Sequence, residues 1–319
     1  MTPDPTLRWS ALTEQDTPAW SRLVHVLAEA DGTDETYSPE DLAEELTEAG
    51  VEAAADTWGV WDGTELVAYG QLRVSPALTA DGLVRADLDG GVHPARRGRG
   101  IATELFERME PRAAEVAARR HPGAPVQLRA SGGAEGADAR TFLAGRGYEP
   151  VRWFTDMARP LPGAPAGSED GRAEPYDDAM DEELRRAHNV AFADHWGSTA
   201  QTPEAWADLV GARGNRKELW RVARDAGGHV LAYCLAGQWA EGSLYVTLVG
   251  TRPEARGRGL ARAVLLGTVA AAASAGEWGR IELTVDSASP TRADALYASV
   301  GFAPLRTRAT CARVLGGRG

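Results

Sequence analysis

Residues 93–102 (HPARRGRGIA) and 252–261 (RPEARGRGLA) each carry two glycines one residue apart, flanked by arginine. In a chain of net charge -12, three arginines within four residues (Arg96, Arg97, Arg99) and three within seven (Arg252, Arg256, Arg258) are local exceptions. Each stretch follows an apolar run that reads as a strand and precedes a run with helical spacing. A helix N-terminus leaves its first N–H groups unpaired and carries partial positive charge, which suits an anion. Glycine lets the backbone approach a ligand, and arginine adds full charge. The chemistry this implies is capture of a phosphate or pyrophosphate. A Walker loop is excluded, because it needs Gly-Lys-Ser/Thr and the single lysine is Lys217. The dinucleotide fingerprint fails as well: Gly98-Arg-Gly100 runs on to Thr103, and Gly257-Arg-Gly259 to Arg262.

The elements that must position these turns also occur twice. Residues 92–102 and 251–261 share six identities in eleven. Upstream, WGVWDGTELVAYG (58–70) parallels WRVARDAGGHVLAYC (220–234), each a strand, a Gly-containing turn and a strand. SPEDLAEEL and TPEAWADLV each present a Ser or Thr cap, then proline at the first helical position, then a helix. Downstream, TFLAGRGYEP parallels ALYASVGFAP. The helix after the first turn should turn Ala102, Leu105, Phe106, Met109 and Ala113 inward. After the second, Ala261, Val264, Leu265, Thr268 and Val269 have the same spacing. Four matches in one order make the chain a tandem duplication. Residues 159–175, rich in Pro, Gly and acid, read as the join. The expected domains are therefore 1–160 and 175–319, with a linker at 161–174. The expected fold class is α/β (α+β), each domain a mixed, mostly antiparallel twisted sheet flanked by helices.

Composition narrows the partners. With 43% hydrophobic and 25% charged residues the chain is of the soluble globular kind. No apolar run approaches the roughly 18–20 residues of a membrane span, and the first residues show no export signal, so a cytoplasmic protein is expected. The acidic balance argues against nucleic acid and leaves room for a cationic amine. Cys234 and Cys311 stand alone, giving neither a disulfide framework nor a metal site.

The pattern R-x-x-G-x-A, at Arg97-Gly-Arg-Gly100-Ile-Ala102 and Arg256-Gly-Arg-Gly259-Leu-Ala261, resembles the acyl-CoA pyrophosphate loop of the GNAT superfamily of N-acetyltransferases. The V-x-P lead-in and the LYASVGF segment share that resemblance, which covers nearly the whole chain as two GNAT units. Among tandem members it looks most like the mycothiol synthase branch. The resemblance implies acetyl-CoA as co-substrate and no metal. Val249, Gly250 and Thr251 would hold the pantetheine arm, and Arg256, Gly257, Arg258, Gly259, Leu260, Ala261 and Arg262 the pyrophosphate, with residues 290–295 lining the rest. Gly91 and Val92, with Arg97, Gly98, Arg99, Gly100, Ile101 and Ala102, are the first-unit counterparts.

Acetyl transfer to an amine needs a neutral nucleophile, a stabilised carbonyl oxygen and a proton for the departing sulfur. The resemblance gives the last task to a tyrosine four residues before Gly-Phe/Tyr: Tyr297 in the second unit, but Leu143 in the first. Leucine has no proton to give, so the second unit is the expected catalyst. Ser289-Pro290 is the expected start of the helix that carries Tyr297. The glutamate that the mycothiol synthase branch carries eight residues before the turn's proline is Tyr245 here. The general base stays open between Glu241, Asp286, His188, Asp194, His195 and ordered water. Tyr245, His195 and Trp196 are the expected substrate-pocket residues. The expected activity is transfer of an acetyl group to a small-molecule primary amine, by a monomer or homodimer. Mycothiol synthesis proper, peptide acetylation and non-catalytic acyl-CoA binding are the alternatives.

Overall fold

The computed structural model of the chain describes residues 6–33, 36–161, 171–288 and 292–316. They form two compact units: residues up to Val151 together with those from Ala309 on, and Arg152–Arg308.

The first unit contains strands β1 (Arg8–Ser10), β2 (Thr57–Asp62), β3 (Glu65–Leu78), β4 (Val84–Val92) and β5 (Val126–Gly133). Its helices are α1 (Thr17–Asp31), α2 (Pro39–Glu45), the short α3 (Ala53–Asp56), α4 (Ile101–Arg120) and α5 (Asp138–Gly145). Strand β6 (Glu149–Pro160) passes from the first unit into the second. The second unit continues with β7 (Glu174–Pro175), α6 (Asp181–Ala191), α7 (Pro203–Gly211), β8 (Arg221–Arg224), β9 (Val230–Ala240) and β10 (Ser243–Thr251). Then come α8 (Leu260–Ala275), β11 (Arg280–Asp286), α9 (Ala293–Ser299) and β12 (Ala303–Leu315), whose last residues return to the first unit.

Within each unit the ladder is the same. In the first, β1 to β4 pair antiparallel in succession, β4 pairs parallel with β5, and β5 pairs antiparallel with the end of β12. In the second, β7 to β10 are antiparallel, β10 and β11 parallel, and β11 pairs antiparallel with β6 from Phe154 to Pro160. The final strand of each half of the sequence therefore completes the other half's sheet. The division consequently falls at 151/152 and 308/309, whereas composition had suggested 161–174, of which 162–170 lie outside the described residues.

Local chemistry explains the helices that frame the turns. Ser38 accepts from the Asp41 amide at 3.1 Å while the Asp41 carboxylate accepts from the Ser38 N–H at 3.0 Å, a reciprocal cap with Pro39 at the first position. Thr202 caps α7 through the Ala205 amide at 3.2 Å, again followed by proline. Helix α4 packs Leu105, Met109 and Ala113 on β3, and α8 packs Val264, Leu265 and Val269 on β9. Each such large side chain contributes about 1.5–3 kcal/mol by leaving water. The inward face begins one residue earlier than the spacing suggested. Ile101 and Leu260 are buried, while Ala102 and Ala261 are only half-buried, because each helix starts directly after its glycine.

Candidate acyl-CoA and acetyl-transfer site

The two arginine-glycine turns have one backbone conformation. Each opens with a single tight turn, Pro94–Arg96 or Pro253–Ala255, after which Arg97 and Arg256 are extended. Gly98 and Gly257 both have φ +73°, and Gly100 and Gly259 have +86° and +74°. Left-handed backbone of this kind is costly for any residue with a Cβ. At Gly98 and Gly257 a Cβ would meet nothing within 4 Å, so conformation rather than space selects glycine. The first amides of α4 and α8 follow directly.

The arginines are engaged differently. Arg97 grips Asp31 with two parallel hydrogen bonds of 2.8 Å and donates to the Val92 carbonyl at 3.1 Å. Its neighbour Arg96 is paired with Asp62. Arg256 donates to a carbonyl, that of Ala191 at 3.1 Å, and both Arg256 and Arg258 are exposed. Arg252 is tied to Glu183 at 2.7 Å, and Arg172 donates to the Arg258 carbonyl at 2.8 Å.

Behind each turn the sheet opens. The parallel ladder of β10 and β11 ends at Tyr245–Glu282, and that of β4 and β5 at Asp87–Arg129. Beyond those rungs, β10 has a register shift between Val246 and Leu248 that leaves Thr247 as an extra residue; β4 pairs with β3 without a break from Ala86 to Val92. A bulge re-aims the backbone and leaves ladder groups unpaired. The hydroxyls of Thr247 and Thr251 are buried with no hydrogen-bond partner among the described residues. Between them lies Gly250, where a Cβ would run into the ring of Tyr233 on β9. The Tyr233 hydroxyl meets Nδ1 of His188 at 2.8 Å, and His188 stacks on Phe192. Burial, with a smaller push from His195, lowers the His188 pKa to about 4, so the ring is neutral at pH 7.

Tyr297, on α9, is buried against Phe302. Burial raises its phenol well above 10, with smaller contributions from Cys234, opposite Val249, and from Tyr245. It is thus a proton-bearing hydroxyl beside the opened stretch of β10, with no hydrogen-bond partner among the described residues. Leu143 is buried in the first-unit core. Tyr245 donates to Thr284 Oγ1 at 2.8 Å, and Thr284 donates to Asp156 Oδ1 at 2.6 Å. The buried Asp156 also accepts from Arg306 at 2.7 Å and Arg308 at 3.2 Å.

Left-handed glycines at the turn and unanswered threonine hydroxyls in an opened strand fit an acyl-CoA lying from turn to bulge. The sequence model of the acetyltransferase (GNAT) family matches residues 11–126 and 178–302. The chain belongs to the GNAT family. It is an acyltransferase built from two GNAT units. A protein of Thermobispora bispora named mycothiol acetyltransferase is 32% identical over 307 residues, covering 91% of this chain and 93% of that one. A GCN5-related N-acetyltransferase from Sphaerobacter thermophilus has the same fold, with TM-score 0.77, 24% identity and coverage of 99% and 98%. So has a tandem GNAT protein from the clavulanic acid biosynthesis pathway, with TM-score 0.69, 18% identity and coverage of 98% and 100%.

Several expected site residues of this GNAT chain come together in the second unit: Val249, Gly250 and Thr251 on the opened strand, residues 256–262 at its end, and Tyr297 and Tyr245 beside it. Glu241 does not join them. It is exposed in the turn between β9 and β10; at about 3.3 Å per residue it lies roughly 13 Å from Tyr245 and about 30 Å from the arginine-glycine turn. Asp286 is buried, accepts from the Ala288 amide at 2.9 Å and faces Arg152 at 3.8 Å, a turn-holding arrangement. Arg152 also covers the ring of Trp196. His195 and Trp196 lie in a turn after α6, with His195 against Phe192. Ser289, Pro290 and Thr291 lie outside the described residues; α9 is described from Ala293. Sequence reasoning missed Asp156, Thr284 and Thr247. The bulge leaves a trace, since apolar residues 244, 246, 248 and 249 break strict alternation. Asp156 leaves none, because its partner is 128 residues away.

Proposed function

We propose that the second unit moves an acetyl group from acetyl-CoA directly to the primary amine of a small molecule, and that the first unit is a scaffold without turnover. The observation that carries this reading is Tyr297, a buried phenol that keeps its proton where the first unit has Leu143. When bound, acetyl-CoA supplies the acetyl group as a thioester. The amides of α8 and the side chains of Arg256 and Arg258 hold its diphosphate. Backbone N–H groups released at the β10 bulge face the carbonyl oxygen as it gains charge. Tyr297 gives its proton to the sulfur as the C–S bond breaks and the C–N bond forms, and the proton that the nitrogen sheds returns to the phenolate through ordered water. Residues beside the amine must accept its N–H rather than compete for its lone pair.

Mycothiol formation is the second reading, favoured by the Thermobispora bispora relative, which matches over nearly its full length. CoA release measured with glucosamine, an aminosugar conjugate, a polyamine, an aromatic amine and a peptide N-terminus separates the readings. Turnover with a free small amine supports the proposal. Heat of acetyl-CoA binding with no turnover on any acceptor points instead to a non-catalytic binding protein.

A further inference from the structure

We infer that Asp156, acting through Thr284, is a positioning residue that makes Tyr245 a hydrogen-bond acceptor for the N–H of the incoming amine. This rests on the second unit being the catalyst.

Hydrogen-bond counting carries the inference. Asp156 is held by two guanidinium groups, Arg306 on Oδ2 at 2.7 Å and Arg308 on Oδ1 at 3.2 Å, and a carboxylate so paired only accepts. Its 2.6 Å contact with Thr284 Oγ1 therefore takes the single hydroxyl proton of Thr284. At the 2.8 Å contact between Thr284 and Tyr245, the threonine oxygen is left to accept, so the phenol proton is committed to it. Any further group that approaches the Tyr245 oxygen along a hydrogen bond must bring a donor. An amine or ammonium N–H meets that condition; a carbonyl or carboxylate oxygen does not.

Place matters as much as polarity. Tyr245 stands on the last rung of the parallel ladder, where β10 and β11 part, and it is close enough to Tyr297 to affect that phenol's titration. An N–H held on Tyr245 thus sits at the mouth of the opened strand. Among the described residues the first unit shows no such chain: its last rung is Asp87, ion-paired at 3.0 Å with both Arg85 and Arg129. Asp156 enters the second unit on β6, so the anchor is supplied by the exchanged strand.

The test compares wild type with Thr284→Val, which keeps the shape but cuts the chain, and Thr284→Ser, which keeps the hydroxyl. The acceptor is whichever amine of the panel above is acetylated fastest. Thr284→Val is expected to lower kcat/KM for the amine about tenfold, the worth of one hydrogen bond, with KM for acetyl-CoA within twofold. Thr284→Ser should restore most of the loss. Equal kinetics in Thr284→Val and wild type, or failure of serine to rescue a folded protein, overturns the inference. A neutron structure reads the polarity without turnover: deuterium on Tyr245 directed at Thr284 supports it, and deuterium on Thr284 directed at Tyr245 overturns it. If no amine in the panel is acetylated, the catalytic reading fails while the neutron result still decides the polarity.

Discussion

The two turns share glycine angles to within about 12°, yet what surrounds them differs at three points. In the first unit Arg97 already holds a carboxylate, β4 keeps an unbroken ladder beside its glycines, and a buried Leu143 stands where the second unit has Tyr297. In the second, Arg256 donates to a backbone carbonyl, β10 bulges at Thr247, and Tyr297 brings a buried proton. The two units therefore share the backbone of the turn and differ in the side chains around it. The glycines let the chain enter α4 and α8 through left-handed backbone that costs any other residue about 1–2 kcal/mol, so they serve the fold of each unit. The bulge, the exposed Arg256 and Arg258 and the phenol are the features that the proposed function assigns to a ligand.

The largest difference should come from the acid. Tyr297→Phe is expected to lower turnover about 100-fold or more while leaving acetyl-CoA affinity within about threefold, measured by CoA release beside calorimetry. Unchanged turnover would remove the contrast with Leu143. The next effect is acid sensitivity. Tyr233 is braced by the imidazole of His188, whereas its counterpart Tyr69 packs on Trp20. With a folded pKa of about 4 against 6.5, His188 contributes stability that is present above 6.5 and lost as pH falls towards 4, because the unfolded chain takes up the proton first. The loss amounts to about 3 kcal/mol. Denaturant melts of His188→Gln should lose most of that slope between pH 6.5 and 4; an identical slope would mean that other groups set it. The smallest effect sharpens the contrast at Arg97. Asp31→Asn releases the guanidinium, and a second acetyl-CoA should then bind about tenfold more tightly than to the parent protein. Second-site affinity that does not change would show that Asp31 is not what closes the first turn.

Much of this contrast was legible in the sequence and part of it was not. Glycines, prolines and capping Ser or Thr act within a few residues, so the turns, α2 and α7 follow from short motifs. The exchanged strands do not. The ends of β6 and β12 both alternate, and nothing local tells a strand which copy of a sheet it will close. Glu241 illustrates the same limit: close to the turn in sequence, it lies at the opposite end of β10 from it. Asp156 is the converse, remote in sequence but brought to Tyr245 by the register of β6 on β11. Arg97 reads as a ligand group in the sequence, and nothing local announces that the fold pairs it with Asp31.

Calorimetric titration of acetyl-CoA into two variants, Arg256→Ala/Arg258→Ala and Arg97→Ala/Arg99→Ala, tests the central claim most directly. Binding should weaken more than tenfold in the first and stay within twofold of wild type in the second. Loss of binding in the Arg97 and Arg99 variant, with affinity kept in the other, would place the ligand on the wrong turn and contradict this account.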